Sequence, residues 1–201
     1  MLPRLTQVEA VTALQQGKVV LVPTETNYAL VCRAMDAGAV AKVIAAKGRP
    51  PGKPLPVMVS GSDAFERFGL ETPLRILAEE FWPGPLTLVV PAFPGLPGAV
   101  TADTNMVGLR VPSHPIAQAV LEAIGEPLVA TSANRSGQPA ASTPEACDDA
   151  GLEGVAGLVA DGPTPGGRST VVGLAGGELI VHREGPLTAE MLSSAWANAQ
   201  G

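Results

Sequence analysis

The sequence predicts an α/β fold: one twisted sheet of mixed parallel and antiparallel strands with helices packed on it. Short apolar runs alternate with amphipathic helical runs through the first half, which favours parallel pairs. Near the end, residues 170–174 and 178–182 flank Ala175-Gly176-Gly177, a hairpin pattern that adds antiparallel strands. The chain has 201 residues with no visible repeat or linker, so residues 1–201 are expected to form a single domain.

Residues 5–16 read as an opening helix, with Val8, Val11 and Leu14 on its inner stripe and Gly17 placed to end it. The apolar run 19–22 is a strand that stops at Pro23. A helix over 36–47 takes Asp36 as its cap and turns Val40, Val43 and Ile44 inward. Residues 55–59 form a short strand, and Ser62 and Asp63 open a helix towards Phe68. Thr72-Pro73 caps another that runs to Phe81. The WPGP turn at 82–85 leads into a strand over 86–90. Residues 91–104, rich in Pro and Gly, read as a surface loop. A strand over 107–111 and a helix over 116–124 follow, then a strand over 128–130 that runs into TSANRSG. Thr143-Pro144-Glu145 starts a short helix, 158–160 is a strand, and DGPTPGGRS is a loop. The hairpin is followed by a helix over 188–199.

Composition narrows the function. The apolar share is 46% and charged residues are 16%, which excludes a disordered chain. The net charge of −6 argues against a general nucleic-acid binder, while leaving room for a local phosphate site. No apolar run approaches the roughly 20 residues needed to cross a bilayer, and the first residues carry no signal-peptide core, so a cytoplasmic location is expected. Cys32 and Cys147 have no metal-ligand spacing and read as free thiols. Only His114 and His182 are available, which disfavours a zinc site or a His-activated nucleophile; both read as structural, and no metal ligands are assigned.

Cations gather where an acidic chain would hold an anion. Lys47, Arg49 and Lys53 lie in one segment stiffened by Pro50, Pro51 and Pro54, and Lys47 and Arg49 are expected to be exposed in the empty site. The plainer role for Lys47 is a charge at a helix C-terminus. Thr131-Ser132-Ala133-Asn134 follows a strand, where α/β sheets place ligands, but also suits a polar turn or cap. Arg168-Ser169-Thr170 after two glycines suits an anion loop or a flexible turn. Arg110 lies between Leu109 and Val111, and burial there requires a carboxylate or a ligand beside it. The standard nucleotide motifs GxxxxGK[ST] and GxGxxG are absent.

Together the blocks VPTETNYAL, KGRPPGKPL, FWPGPLTLV, VGLRVPSHP, PLVATSANRSGQP, RSTVV and HREG resemble the YrdC/TsaC family, the L-threonylcarbamoyladenylate synthases. They run in that family's order from Gly17 to Gly185, as in its short single-domain form. The resemblance implies a twisted YrdC-like sheet and formation of threonylcarbamoyl-AMP and pyrophosphate from threonine, bicarbonate and ATP. Mg²⁺ would accompany the ATP. Threonylcarbamoyl transferase proteins that modify tRNA would be the partners, and a tRNA contact is allowed. Lys47, Arg49, Ser132, Asn134, Ser142 and Arg183 would then contact ATP, with Lys47 and Arg49 catalytic and Lys53 a further phosphate contact. Thr26, Met58, Arg110, Ser132 and Ser169 would surround threonine. The chain departs from the family pattern at Asn27, Ala29, Met58 and Gly173, where Val, Gly, His and Asp are usual. Two other readings remain: a paralogue making another carbamoyl-adenylate, and an RNA- or ribosome-binding module.

Overall fold

Alternate residues of the strands face opposite sides of one sheet, and the two sides are covered unequally. The computed structural model describes residues 1–61, 64–67 and 72–198. Its elements, in order, are α1 (Gln7–Gln15), β1 (Val19–Pro23), β2 (Tyr28–Arg33), α2 (Ala37–Lys47), β3 (Val57–Met58), α3 (Ala64–Arg67), α4 (Arg75–Phe81), β4 (Leu86–Pro91), α5 (Gly98–Thr101), β5 (Met106–Arg110), α6 (Pro115–Ile124), β6 (Leu128–Ser132), α7 (Pro144–Asp148), β7 (Val155–Leu158), β8 (Thr170–Ala175), β9 (Glu178–Arg183) and α8 (Ala189–Asn198). The nine described strands form one sheet in the order β7-β1-β2-β6-β3-β5-β4-β8-β9. The pairs β1–β7, β3–β5 and β4–β8 are parallel. The remaining neighbours are antiparallel, so the sheet is mixed as expected.

One face is covered along its length. Leu21, Leu30, Val57, Leu88 and Leu109 point to it and pack with residues of α2, α4, α5 and α8, including Val43, Leu77, Val100 and Leu192. The opposite face carries Val20, Val22, Val31, Met58 and Leu128, which pack against Ala10 and Leu14 of α1 and Val120 and Leu121 of α6. These two helices contact each other and the β1 side of the sheet. The rest of that face, from β3 towards β9, together with Ala29 of β2 and Ala130 of β6, forms the wall of a cleft.

Local chemistry fixes the helix ends. Thr6 and Glu9 form a capping box on α1, and the Asp36 carboxylate accepts from Ala39 N at the start of α2. Gly48 closes α2 at φ +54°, a left-handed position that suits glycine. His114 caps α6, its Nδ1 accepting from Ile116 N, which gives it the structural role expected.

Four expectations change. Residues 28–33 are a strand that the sequence did not reveal; every side chain from Tyr28 to Cys32 is buried, so no alternation marks it. Val8 is exposed, because α1 docks through the small Ala10 and Ala13 together with Leu14. The stretch 91–104 is not wholly a surface loop: it contains α5 and buries Phe93 and Val100. The strand placed at 158–160 is β7, three residues earlier at its start. The expected helix start at Ser62 and Asp63 and its end at Phe68 lie outside the described residues. No helix among the described residues is long and apolar enough to cross a membrane.

Candidate active site: a cationic cleft on the half-covered face

The cleft has a volume of about 470 Å³, within the usual range for small-molecule sites. Ala29, Met58, Val89, Gly108, Ala130 and Val171 form its floor, each from a different strand. Register explains the neighbours: Met58 of β3 pairs with Arg110 of β5 and with Leu128 of β6. Met58 therefore stands where the α1–α6 core ends and the cleft begins, on the face opposite Val57. The charged residues lining the cleft are Arg49, Arg110, Arg168 and Arg183; no Asp or Glu among the described residues lines it.

Lys47 is the main correction. It is 3% exposed, not open to solvent. Its Nζ donates to Ser132 O at 2.5 Å, Asn134 O at 2.7 Å and Asn134 Oδ1 at 3.2 Å. An ammonium has three protons, and three acceptors take them. Lys47 O also accepts from Ser136 N at 2.8 Å. The lysine thus ties the end of α2 to the TSANRSG loop. Burial, with Arg49's charge behind it, pulls the Lys47 pKa down to about 8, against the pull of those three acceptors towards the charged form. Asn134 is equally committed: its Oδ1 accepts from Ser132 Oγ at 2.6 Å, and its Nδ2 donates to Arg135 O and Gln138 O. Lys47 and Asn134 shape the loop that presents Ser132, and neither lines the cleft.

Arg49 does line it. Its Nε donates to Lys53 O and its Nη2 to Pro54 O, folding the side chain over its own loop, and burial lowers its pKa. Lys53 is exposed and lies outside the cleft, contributing its carbonyl to Arg49 and not its charge to the cavity. Ser142 also lies outside; its carbonyl accepts from Thr164 N and Thr164 Oγ1, which fastens the loop before β8.

The other end of the cleft is built on β5, β4 and β8. Arg110 has the carboxylate neighbour its setting requires: Glu25 Oε1 lies 2.6 Å from its Nη2. Arg110 Nε donates to Gly84 O at 3.2 Å, and both Nη groups reach Thr26 Oγ1 at 3.4 Å. Ser169 is buried, with its Oγ 2.8 Å from Thr87 Oγ1 and accepting from Arg183 Nη2 at 3.1 Å. Arg183 is held down in pKa by burial first, then by the positive charges of Arg168 and Arg110. Thr26, Ser132, Met58, Arg110, Ser169, Arg49 and Arg183 are therefore brought together, whereas Lys53 and Ser142 are not.

Glu25 and Thr87 were missed as site residues, and Arg168, read as part of an anion loop or a flexible turn, does line the cleft. Glu25 could have been found as the carboxylate that Arg110 demands, since it stands beside Thr26 in the sequence. The departures have physical readings. Ala29 is in a regular antiparallel strand, so its methyl meets no backbone constraint. Asn27 donates through Nδ2 to Gly167 O, and Gly166 N donates to Thr26 O at 2.6 Å, which pins the glycine loop to the cleft rim. Gly173 leaves room for His182: a Cβ there would stand 2.8 Å from His182 Nε2.

The family model described as "Telomere recombination", covering Sua5, YciO and YrdC proteins, matches residues 12–185. A Bacillus subtilis protein named threonylcarbamoyl-AMP synthase is 38% identical over 192 residues, covering 92% of this chain and 55% of its own length. The crystal structure of P. abyssi Sua5 complexed with L-threonine matches with a TM-score of 0.89 at 33% identity, covering 96% of this chain and 58% of that one. E. coli YciO matches with a TM-score of 0.80 at 28% identity, covering 92% and 93%. The chain thus spans about half the length of the first two proteins.

The Lys47 cradle makes a stability prediction. Lys47→Met leaves three carbonyl-type acceptors without their donor and is expected to lose about 1–3 kcal/mol, read by urea unfolding. The folded pKa of about 8 lies below the ordinary 10.5, so between these values the unfolded chain binds more protons. Wild-type stability should therefore rise relative to Lys47→Met as pH climbs from 8 towards 10.5, and the charged form's burial cost should be fully present below pH 8. A pH-independent gap between the two proteins would show that burial does not depress this group.

Proposed function

Because the chain belongs to the Sua5/YciO/YrdC family, we propose that its cleft forms L-threonylcarbamoyl-AMP from L-threonine, bicarbonate and ATP, with release of pyrophosphate. The product would serve threonylcarbamoyl modification of tRNA, handed to a separate transferase in the cytoplasm. On this reading the protein is a nucleotidyltransferase, and residues 1–201 act as one domain. The observation that carries it is one cleft in which Arg110, Thr26 and Ser169 stand together beside Arg49, Ser132 and Arg183. That set supports an amino acid at one end and a polyphosphate at the other. The name threonylcarbamoyl-AMP synthase among relatives, and L-threonine bound to P. abyssi Sua5, support the same reading.

The chemistry needs neither a nucleophile nor a general base from the protein. Threonine's neutral amine captures carbon dioxide supplied by bicarbonate, forming an N–C bond and releasing a proton to solvent. The resulting carbamate is an anionic oxygen nucleophile. It attacks the α-phosphorus of ATP, forming a new P–O bond as the bond to pyrophosphate breaks. Arg49, Arg168 and Arg183 would stabilise negative charge on the phosphates, and Ser132 would hold one end of the nucleotide. Lys47 and Asn134 act by fixing the loop that carries Ser132. Mg²⁺ is expected to travel with the triphosphate, but no carboxylate among the described residues lines the cleft to hold it.

The primary test is pyrophosphate release with ATP, bicarbonate and each amino acid in turn. Release that depends on both threonine and bicarbonate is the expected outcome; release indifferent to the amino acid would sink the proposal. Within the active enzyme, Arg110→Ala is expected to raise the threonine KM. Arg49→Ala is expected to reduce adenylate formation by roughly 10²-fold, with its KM effect on ATP. If both variants shift the same substrate constant, the division of the cleft into two halves is wrong.

Met58 makes a separate prediction about selectivity. A thioether packs against a methyl group and is at most a weak acceptor. Serine, lacking that methyl, should be a poorer substrate than threonine by about 10–200-fold in kcat/KM. Valine should be tolerated better than a hydroxyl-reading pocket permits, and Met58→His should reduce that tolerance. Rejection of valine by wild type beyond about 10⁴-fold would mean that other polar groups read the hydroxyl.

A further inference from the structure

A buried carboxylate stands behind Arg110 at the amino-acid end of the cleft. Glu25 lies in the turn between β1 and β2, with Oε1 2.6 Å from Arg110 Nη2. The side chains are 16% and 12% exposed respectively. Neither carboxylate oxygen meets a hydrogen-bond donor in good geometry among the described residues. The close contact is therefore a charge pair and not a directed hydrogen bond. Arg110 directs its N–H groups elsewhere: Nε to Gly84 O, and both Nη groups to Thr26 Oγ1 over long 3.4 Å bonds. Glu25 thus balances the guanidinium's charge without consuming its donors. The charged residues that line the cleft are all arginines, and Glu25 offsets the charge of one of them, Arg110.

We propose that Glu25 sets the charge selectivity of this half-site, making it take a zwitterionic α-amino acid in preference to a simple carboxylate. The inference rests on the proposed reaction and deepens it by naming the residue that recognises the substrate class. A balanced Glu–Arg pair offers a bare carboxylate hydrogen bonds but no net charge of its own, so an incoming anion gains less in this partly desolvated site than an unbalanced Arg110 would give it. A zwitterion brings its own ammonium within a few ångströms of its carboxylate. Attraction between that ammonium and Glu25 acts across the site without requiring contact. Removing the glutamate's charge leaves Arg110 unbalanced, which favours anions and penalises the ammonium.

The test compares binding of L-threonine and of 3-hydroxybutanoate, which is threonine without its ammonium, by calorimetry with a non-hydrolysable ATP analogue present. Wild type should prefer threonine. Glu25→Gln, nearly isosteric, should reduce that preference by at least roughly tenfold, the scale of one screened charge interaction. Glu25→Asp keeps the charge and should retain most of the preference. If Glu25→Gln does not fold, the double variant Glu25→Gln/Arg110→Gln removes both charges together and should bind the two ligands alike. A preference unchanged in the Gln variant, with both ligands weakened equally, overturns the inference and leaves Glu25 a prop for Arg110. So does an Asp variant as impaired as the Gln variant, or a double variant that still prefers threonine. A wild type without threonine-dependent pyrophosphate release overturns the proposed reaction and this inference together; a wild type with it leaves only the Glu25 assignment at stake.

Discussion

The site depends on a shortfall of cover. A sheet with two apolar faces needs a layer of helices on each, and this chain supplies one face generously and the other sparingly. α2, α4, α5 and α8 cover the first face, whereas α1 and α6 cover only the β1 end of the second. Beyond Met58 the floor changes character. Gly108 has no side chain to bury, while Thr87, Arg110 and Ser169 bring polar groups. A wall of that composition gains little from a helix laid over it, so an open cleft is a consistent way for this sequence to end its second core.

The polar groups of the cleft divide into those spent on structure and those left for a ligand. Lys47 and Asn134 are spent: each reachable donor or acceptor described for them is matched within the chain. Arg49 and Arg110 are held more loosely, by contacts to carbonyls, a hydroxyl and one carboxylate, while still facing the cavity. This division changes how a KxR motif next to an SxN motif is understood. The lysine and the asparagine build the loop, and the arginine and the serine point from it.

The fold class, the longer helices and the hairpin were legible because their signals are local: caps, glycine stops and a helical stripe. β2 was not, since residues buried on both faces lose the period of two that marks a strand. The position of Lys47 was not legible either. Its burial depends on Ser132 and Asn134, 85 and 87 residues away, and no local pattern shows that pairing. Arg110 was legible in half: its apolar neighbours required a counter-charge, and Glu25 beside Thr26 was within reach of that argument, but the contact itself is made only in the fold. Lys53 looked like the companion of Lys47 and Arg49 by spacing alone, yet the turn through Pro50 and Pro51 directs it to solvent.

The β1–β2 turn ties the half-site to the cleft rim. Thr24 Oγ1 donates its single proton to Asn27 O at 2.6 Å. The 3.1 Å contact between Thr24 Oγ1 and Thr26 Oγ1 must then be donated by Thr26. That fixes the Thr26 hydroxyl with its lone pairs towards the Arg110 guanidinium, whose Nη groups lie 3.4 Å away. The same turn holds the glycine loop through Thr26 O and Asn27, so the rim and the half-site share one scaffold. A carboxylate that took Arg110's Nη groups from Thr26 would free an oriented acceptor on the cleft wall. An amine or hydroxyl on the same ligand is the donor that would satisfy it, so the turn reads ligand polarity on Thr26 while Glu25 in the same turn carries the balancing charge.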